Sequence, residues 1–251
     1  MNIKKILAVT ASVGFLAACN GGGGSDPGPV AVTTAEGLWS GTTSTSRSLT
    51  GIVLGNGTYW MLYSAPNNST VIAGVLVGRG SSLNSSFSTS EGKDFNFEGQ
   101  GIHDATISAS YVPRDYFNGS ISYPSLNQTN TFTTTFNKAF DNPLSLSAIA
   151  GSYSGNAVVV GRAPEATTFG VTSEGAVTGS SSNGCQFTGN ATPFANGGIY
   201  DLSITFGGGA CANGTNTVTG IVYYDVGTKK LFSIALNYTL SNGFVFFGDK
   251  L

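Results

Sequence analysis

The 251-residue chain predicts an all-β fold: two small antiparallel β-barrels, or sandwiches, in tandem behind a flexible tether. Three observations carry that prediction. Short runs rich in Val, Ile, Tyr, Phe and Thr recur between clusters of Gly, Asn and Ser, and no long segment keeps a helical period. Thr131–Phe136 and Tyr200–Phe206 alternate apolar with polar residues, the period of a half-buried strand. A pattern Gly-x-aromatic-Ser-Gly occurs as Gly37-Leu38-Trp39-Ser40-Gly41 and again, from 37 to 151, as Gly151-Ser152-Tyr153-Ser154-Gly155. About a hundred residues follow each copy, enough for one eight-stranded barrel or a small sandwich. The expected domains are 35–146 and 147–251, with a single continuous β domain as the alternative.

The chain opens with the layout of a secretory signal over residues 1–18. Lys4 and Lys5 precede an apolar stretch from Ile6 to Leu16, too short to span a bilayer, and small residues stand before Cys19. Leu16-Ala17-Ala18-Cys19 closely resembles the lipobox of bacterial lipoproteins. The resemblance implies cleavage before Cys19, a diacylglycerol on its sulfur and an acyl chain (palmitate-like) on its amino group. Two or more such chains hold a protein stably on a membrane. A plain secretory signal with an incidental cysteine is the competing reading. Residues 19–34 form the tether. Four glycines, Gly21–Gly24, followed by Ser25, Asp26, Pro27, Gly28 and Pro29 cannot pack, and span roughly 20 Å as a flexible coil. In lipoproteins a residue other than aspartate after the cysteine implies outer-membrane sorting, and Asn20 satisfies that rule.

Removing the signal with Lys4 and Lys5 leaves nine basic against thirteen acidic residues. That balance speaks against nucleic acid, whose phosphates demand a basic face, and against a polybasic membrane patch. Cys19 is taken by the lipid, leaving Cys185 and Cys211 as a pair. In an oxidising compartment they form a disulfide, since a metal site would need further soft ligands nearby.

Along the folded part, strands are expected at Ile52–Leu54, Thr58–Ser64, Val71–Val77, Phe95–Phe97, Thr106–Tyr111, Gly119–Tyr123 and Thr131–Phe136. Asn56-Gly57 marks a hairpin, because both residues tolerate positive φ. Pro143–Ile149 suits a short helical turn between the halves. Gly78-Arg79-Gly80 and Gly207–Gly209 read as turns, since no helix follows either one to make a phosphate loop. The C-terminal strand Gly243-Phe244-Val245-Phe246-Phe247-Gly248-Asp249-Lys250 resembles the closing strand of barrels in transferrin-binding and factor H-binding type surface lipoproteins. With the anchor and tether, that resemblance implies barrel architecture and a surface-displayed binder, with no particular ligand or binding residues.

Little points to catalysis or to a cofactor. His103 is the single histidine, with no Gly-x-Ser-x-Gly elbow to support it, and reads as a loop or surface residue. Glu91, Asp94 and Glu98 lack the spacing of a calcium loop and read as an ordinary hairpin loop. Asp201 and Asp225 read as outward strand or turn residues. The aromatics Tyr59, Trp60, Tyr63, Tyr223 and Tyr224 are the candidate binding residues. Their competing role is to fill two barrels and pack them together. Neighbours such as Tyr59 and Trp60 must face opposite sides of a strand. The expectation is an outer-membrane lipoprotein, not an enzyme, that binds a host protein, glycan or small ligand. The alternative is a periplasm-facing structural or assembly component of the envelope.

Overall fold

A computed structural model describes residues 33–142, 145–194, 198–237 and 239–251. The signal segment, Cys19, the tether up to residue 32, and residues 143 and 144 lie outside the described residues.

Strands β1 (Gly37–Thr43), β2 (Ser48–Val53), β3 (Thr58–Ala65), β4 (Asn68–Leu83), β5 (Ser86–Asn96), β6 (Gly101–Asp104), β7 (Thr106–Val112), β8 (Tyr116–Tyr123) and β9 (Gln128–Phe136) build the first barrel. β6 and β7 are halves of one strand interrupted at Ala105, and both pair with β5. The β4–β5 and β1–β9 pairings close the ring. A 3₁₀ turn at Lys138–Asp141 and the single-turn helix α1 (Leu146–Ile149) connect it to the second barrel. That barrel comprises β10 (Gly151–Val158), β11 (Glu165–Val171), β12 (Ala176–Ser181), β13 (Gln186–Pro193), β14 (Ile199–Phe206), β15 (Thr217–Asp225), β16 (Lys230–Leu236) and β17 (Gly243–Lys250). It closes antiparallel from β17 back to β10. Closure decides for barrels over sandwiches, and leaves the second barrel no open sheet edge.

The pentapeptide repeat is the seam of each barrel. Trp39 lies opposite Phe136 and Gly41 opposite Thr134. Tyr153 lies opposite Lys250 and Gly155 opposite Gly248, each pair displaced by the same 114 residues that separate positions 37 and 151. Both aromatics are fully buried inside their barrels. Trp39 Nε1 donates to the Ala35 carbonyl at 3.0 Å, and the Tyr153 hydroxyl to the Ile149 carbonyl at 2.7 Å, each four residues upstream. The glycines allow the closing strand to approach. A Cβ on Gly41 would stand 1.9 Å from the Thr133 carbonyl oxygen, and one on Gly155 2.0 Å from that of Phe247.

The two barrels share a core. Along β3, Tyr59, Met61 and Tyr63 point into the first barrel, whereas Leu62, with half-buried Trp60, packs between the barrels. Leu38, Ile52, Val75, Val77 and Phe95 meet Ile199, Ile221, Tyr223, Ile234, Leu236 and Val245 there, with Phe140 from the connecting turn. Strands buried on both faces read as near-continuous apolar runs. This is why Tyr59–Tyr63 and Phe244–Phe247 do not alternate, while β7, β9 and β11, with one face in water, do.

Of two local expectations, one needs correction and the other holds. Gly78-Arg79-Gly80 is not a turn but the bulged interior of the 16-residue β4, where the register shifts between Arg79 and Ser81. A Cβ on Gly80 would stand 2.4 Å from the Phe87 ring, so the glycine marks a close approach instead of a reversal. The Asn56-Gly57 hairpin forms, but only Gly57 takes positive φ, at +84°. Gly57 N–H donates to the Leu54 carbonyl, and Leu54 N–H to that of Thr58, each at 2.8 Å. The hairpin is a longer loop with a left-handed glycine.

Candidate functional site

The first barrel is open at one end. Its floor is packed with Trp39, Tyr59, Phe87, Phe117 and Phe132, whose neighbouring rings lie 5.4–6.1 Å apart. At the opposite end the turns β1–β2, β5–β6 and β8–β9 surround a pocket of about 120 Å³, lined mainly by polar side chains.

Asp94 lies at its base. It sits on β5 between Gly92 and Asn96, and residues two apart on a strand share a face. The intervening Phe95 packs outward onto the second barrel, so Asp94 turns inward and is only 3% exposed. The Tyr63 hydroxyl donates to Asp94 Oδ1 at 2.8 Å, and Asn96 Nδ2 donates to that same hydroxyl at 3.2 Å. Tyr123, from β8, lines the same pocket, and its hydroxyl helps hold the Asp94 carboxyl down. Asn96 Oδ1 accepts from the backbone N–H groups of Glu98 and Gln100, which shapes the β5–β6 turn. Burial pushes the Asp94 carboxyl up to about 6, opposed by the two tyrosine hydroxyls and by the charges of His103 and Arg47. Burial, then the Asp94 charge, pushes both tyrosines well above their ordinary range, so they remain donors.

His103 lies directly opposite Asp94 in the β5–β6 ladder. Directly paired residues share a face, so the imidazole lines the pocket, while the next pair, Lys93 and Asp104, forms an ion pair on the outer face. His103 Nε2 is buried and has no hydrogen-bond partner among the described residues. Arg47, from the β1–β2 turn, lies 5.3 Å over the Tyr63 ring and is held by the Ser64 carbonyl and by Glu98, each at 2.8 Å. Thr43, Thr45, Gln100, Gln128 and Asn130 complete the polar rim, with Leu126 exposed at the mouth.

The matching end of the second barrel has a different chemistry. Phe187, Phe206 and Phe244 fill it, with ring centroids 5.2–6.0 Å apart, and leave a hollow of about 30 Å³. The Cys185–Cys211 disulfide ties the β12–β13 turn to the β14–β15 loop across this end. A further hollow of about 590 Å³ lies between the barrels, beside Trp60, Arg79, Lys93, Thr219 and Leu236. Among the described residues no three of His, Cys, Asp and Glu are grouped as metal ligands, and no helix is long and apolar enough to cross a membrane.

Among the aromatics singled out from sequence, Tyr59 and Tyr63 face the first barrel's interior, and only Tyr63 reaches the pocket. Trp60 and Tyr223 pack between the barrels, and Tyr224 lies half-buried beside Tyr153 and Lys250. The acidic cluster is not a hairpin loop. Glu91 and Asp94 lie on β5 and Glu98 in the turn after it, and only Asp94 is interior. His103 is likewise a pocket-lining strand residue and not a loop or surface one. Asp201 is exposed on β14, and Asp225 Oδ1 accepts from Gly227 N–H at 2.9 Å in a turn. Tyr123 and Arg47 went unnoticed in the sequence. The alternation around Phe95-Asn96-Phe97 groups Asp94 with Asn96, but does not say that their face is the inner one.

The sequence matches no protein-family model and no curated protein. Among solved structures it is similar to the "putative outer membrane protein" of Bacteroides fragilis NCTC 9343, with 15% identity and a TM-score of 0.27 over 86% of this chain and 96% of that one. A likeness that distant carries no argument about this chain.

Proposed function

We propose that this protein is a lipid-anchored binding protein of the bacterial outer membrane, and that the open end of its first barrel holds a small polar ligand. One observation carries the binding reading. A buried carboxylate, Asp94, is held by Tyr63 beside an unpartnered His103 Nε2 at the base of an open pocket. The corresponding end of the sister barrel is filled and cross-linked. A buried, partly unsatisfied polar cluster costs stability, and such a cost persists where function uses it. The lipobox-like Leu16–Cys19 and the glycine tether support the anchor, and Asn20 supports outer-membrane sorting. No nucleophile paired with a base stands out in the pocket, so binding is preferred to catalysis.

Two experiments test this. In the first, ligand-observed NMR of the mature protein against a fragment set of sugars, amino acids, organic cations and carboxylates should find ligands that Thr45→Trp, placed to plug the mouth, displaces. Hits indifferent to Thr45→Trp, or no hits at millimolar concentration, would refute the binding reading. In the second, radiolabelled palmitate should enter the wild type but not Cys19→Ala. Protease added to intact cells should degrade a surface-displayed protein, and full protection would place it on the periplasmic side.

A further inference from the structure

We infer that the occupant of the first barrel's pocket is a neutral, hydroxyl-rich ring about the size of one hexopyranose, hydrogen-bonded at its base by His103 Nε2. The inference rests on the binding reading of that pocket and names its ligand class. The charges facing the pocket are already answered within the protein. Asp94 has the Tyr63 hydroxyl, with the Arg47 guanidinium nearby. Arg47 has Glu98 and the Ser64 carbonyl. A charged ligand would surrender its hydration without meeting an unpaired opposite charge, a costly exchange in a desolvated site.

The remaining polar lining consists of amides and hydroxyls, chiefly Thr43, Thr45, Gln100, Gln128 and Asn130. These groups both donate and accept, which is what a sugar hydroxyl asks of its partners. His103 Nε2 accepts or donates according to tautomer, so one hydroxyl pairs with it in either case. Leu49, Leu76, Ile121 and Leu126 offer apolar surface to the C–H faces of a ring. Size agrees. One water needs roughly 10–15 Å³ of such volume, and a closed cavity of roughly 150 Å³ takes benzene. A pocket of about 120 Å³ with an open mouth takes one ring, its outer hydroxyls reaching the rim.

The test holds the ring constant and varies the charge. Calorimetry and ligand-observed NMR on the mature protein compare glucose, galactose, mannose and N-acetylglucosamine with glucosamine, a cation, and glucuronate, an anion. At least one neutral sugar should bind, and the charged analogue of a binding sugar at least tenfold more weakly. His103→Phe, which keeps a planar ring without Nε2, should weaken binding at least tenfold with its melting temperature little changed. His103→Gln, which keeps a polar group near that position, should retain more affinity than His103→Phe. A binding methyl glycoside or oligosaccharide that outcompetes the free sugar would identify a glycan end as the source, and the reverse order a free sugar. Equal or tighter binding of the charged analogues, or sugar binding indifferent to His103→Phe and Thr45→Trp, overturns the inference. So does the absence of sugar binding. If a non-sugar fragment is then displaced by Thr45→Trp, the binding reading stands and only the ligand class falls; if nothing is displaced, both fall.

Discussion

Asp94→Asn should change the pH dependence of stability by an amount that follows from burial. The carboxyl is 3% exposed and is raised from 3.8 to about 6 in the folded protein. Between those values the folded state binds a proton that the unfolded state has released. Stability therefore falls as pH rises through that interval. At ~1.4 kcal/mol per pH unit, the full effect is ~3 kcal/mol, and the nearly complete burial leaves little solvent screening to discount. Asparagine does not titrate. It also cannot accept as strongly from Tyr63, but that loss of ~1 kcal/mol is nearly the same at every pH above the window. The quantity to follow is the gap between wild type and variant. It should shift against the wild type by ~2–3 kcal/mol from about pH 4 to about pH 6.5, then stay level. Urea unfolding monitored by tryptophan fluorescence suits the purpose, because the chain's two tryptophans, Trp39 and Trp60, both lie on first-barrel strands. A gap constant to within ~0.5 kcal/mol across that range, or one moving the other way, would refute the assignment of Asp94 as a buried carboxylate that ionises near neutrality.

The remaining predictions concern the frame. Gly41→Ala and Gly155→Ala push a Cβ to within 1.9 and 2.0 Å of a carbonyl oxygen on the closing strand. Each should cost ~3 kcal/mol or prevent folding, whereas Gly170→Ala, whose nearest contact would be 3.3 Å from Thr178 Oγ1, should cost under ~1 kcal/mol in chemical denaturation. Similar losses at all three positions would contradict the seam geometry. Replacing both Cys185 and Cys211 by serine removes a crosslink over 26 residues of sequence separation. Circular dichroism melts should show a loss of about 3–4 kcal/mol. A loss below ~1 kcal/mol would mean that packing of Phe187, Phe206 and Phe244 alone holds that end.

The residues themselves determined the all-β class, the doubling and the cysteine pairing, because each depends on local chemistry. Strand periodicity is set by side chains two apart, the repeat by glycines that a closing strand needs close by, and the pairing of Cys185 with Cys211 follows from the expectation that the lipobox-like motif takes Cys19. The tertiary structure alone decided which face of a strand is inside. In an isolated barrel Phe95 and Phe97 would point to the interior, and Asp94 with Asn96 would face water. Here the second barrel supplies an apolar surface for Phe95, so the polar side of β5 turns inward and builds the pocket. The same shared core takes up Trp60 and Tyr223, which the sequence equally allowed as exposed binding aromatics. The facing of His103 toward Asp94, and the meeting of both with Arg47 from the β1–β2 turn, depend on strand register across 47 to 103. The β5–β6 turn fixes the pairing of Asp94 with His103, but their meeting with Arg47 needs barrel closure, which brings together residues far apart in the chain.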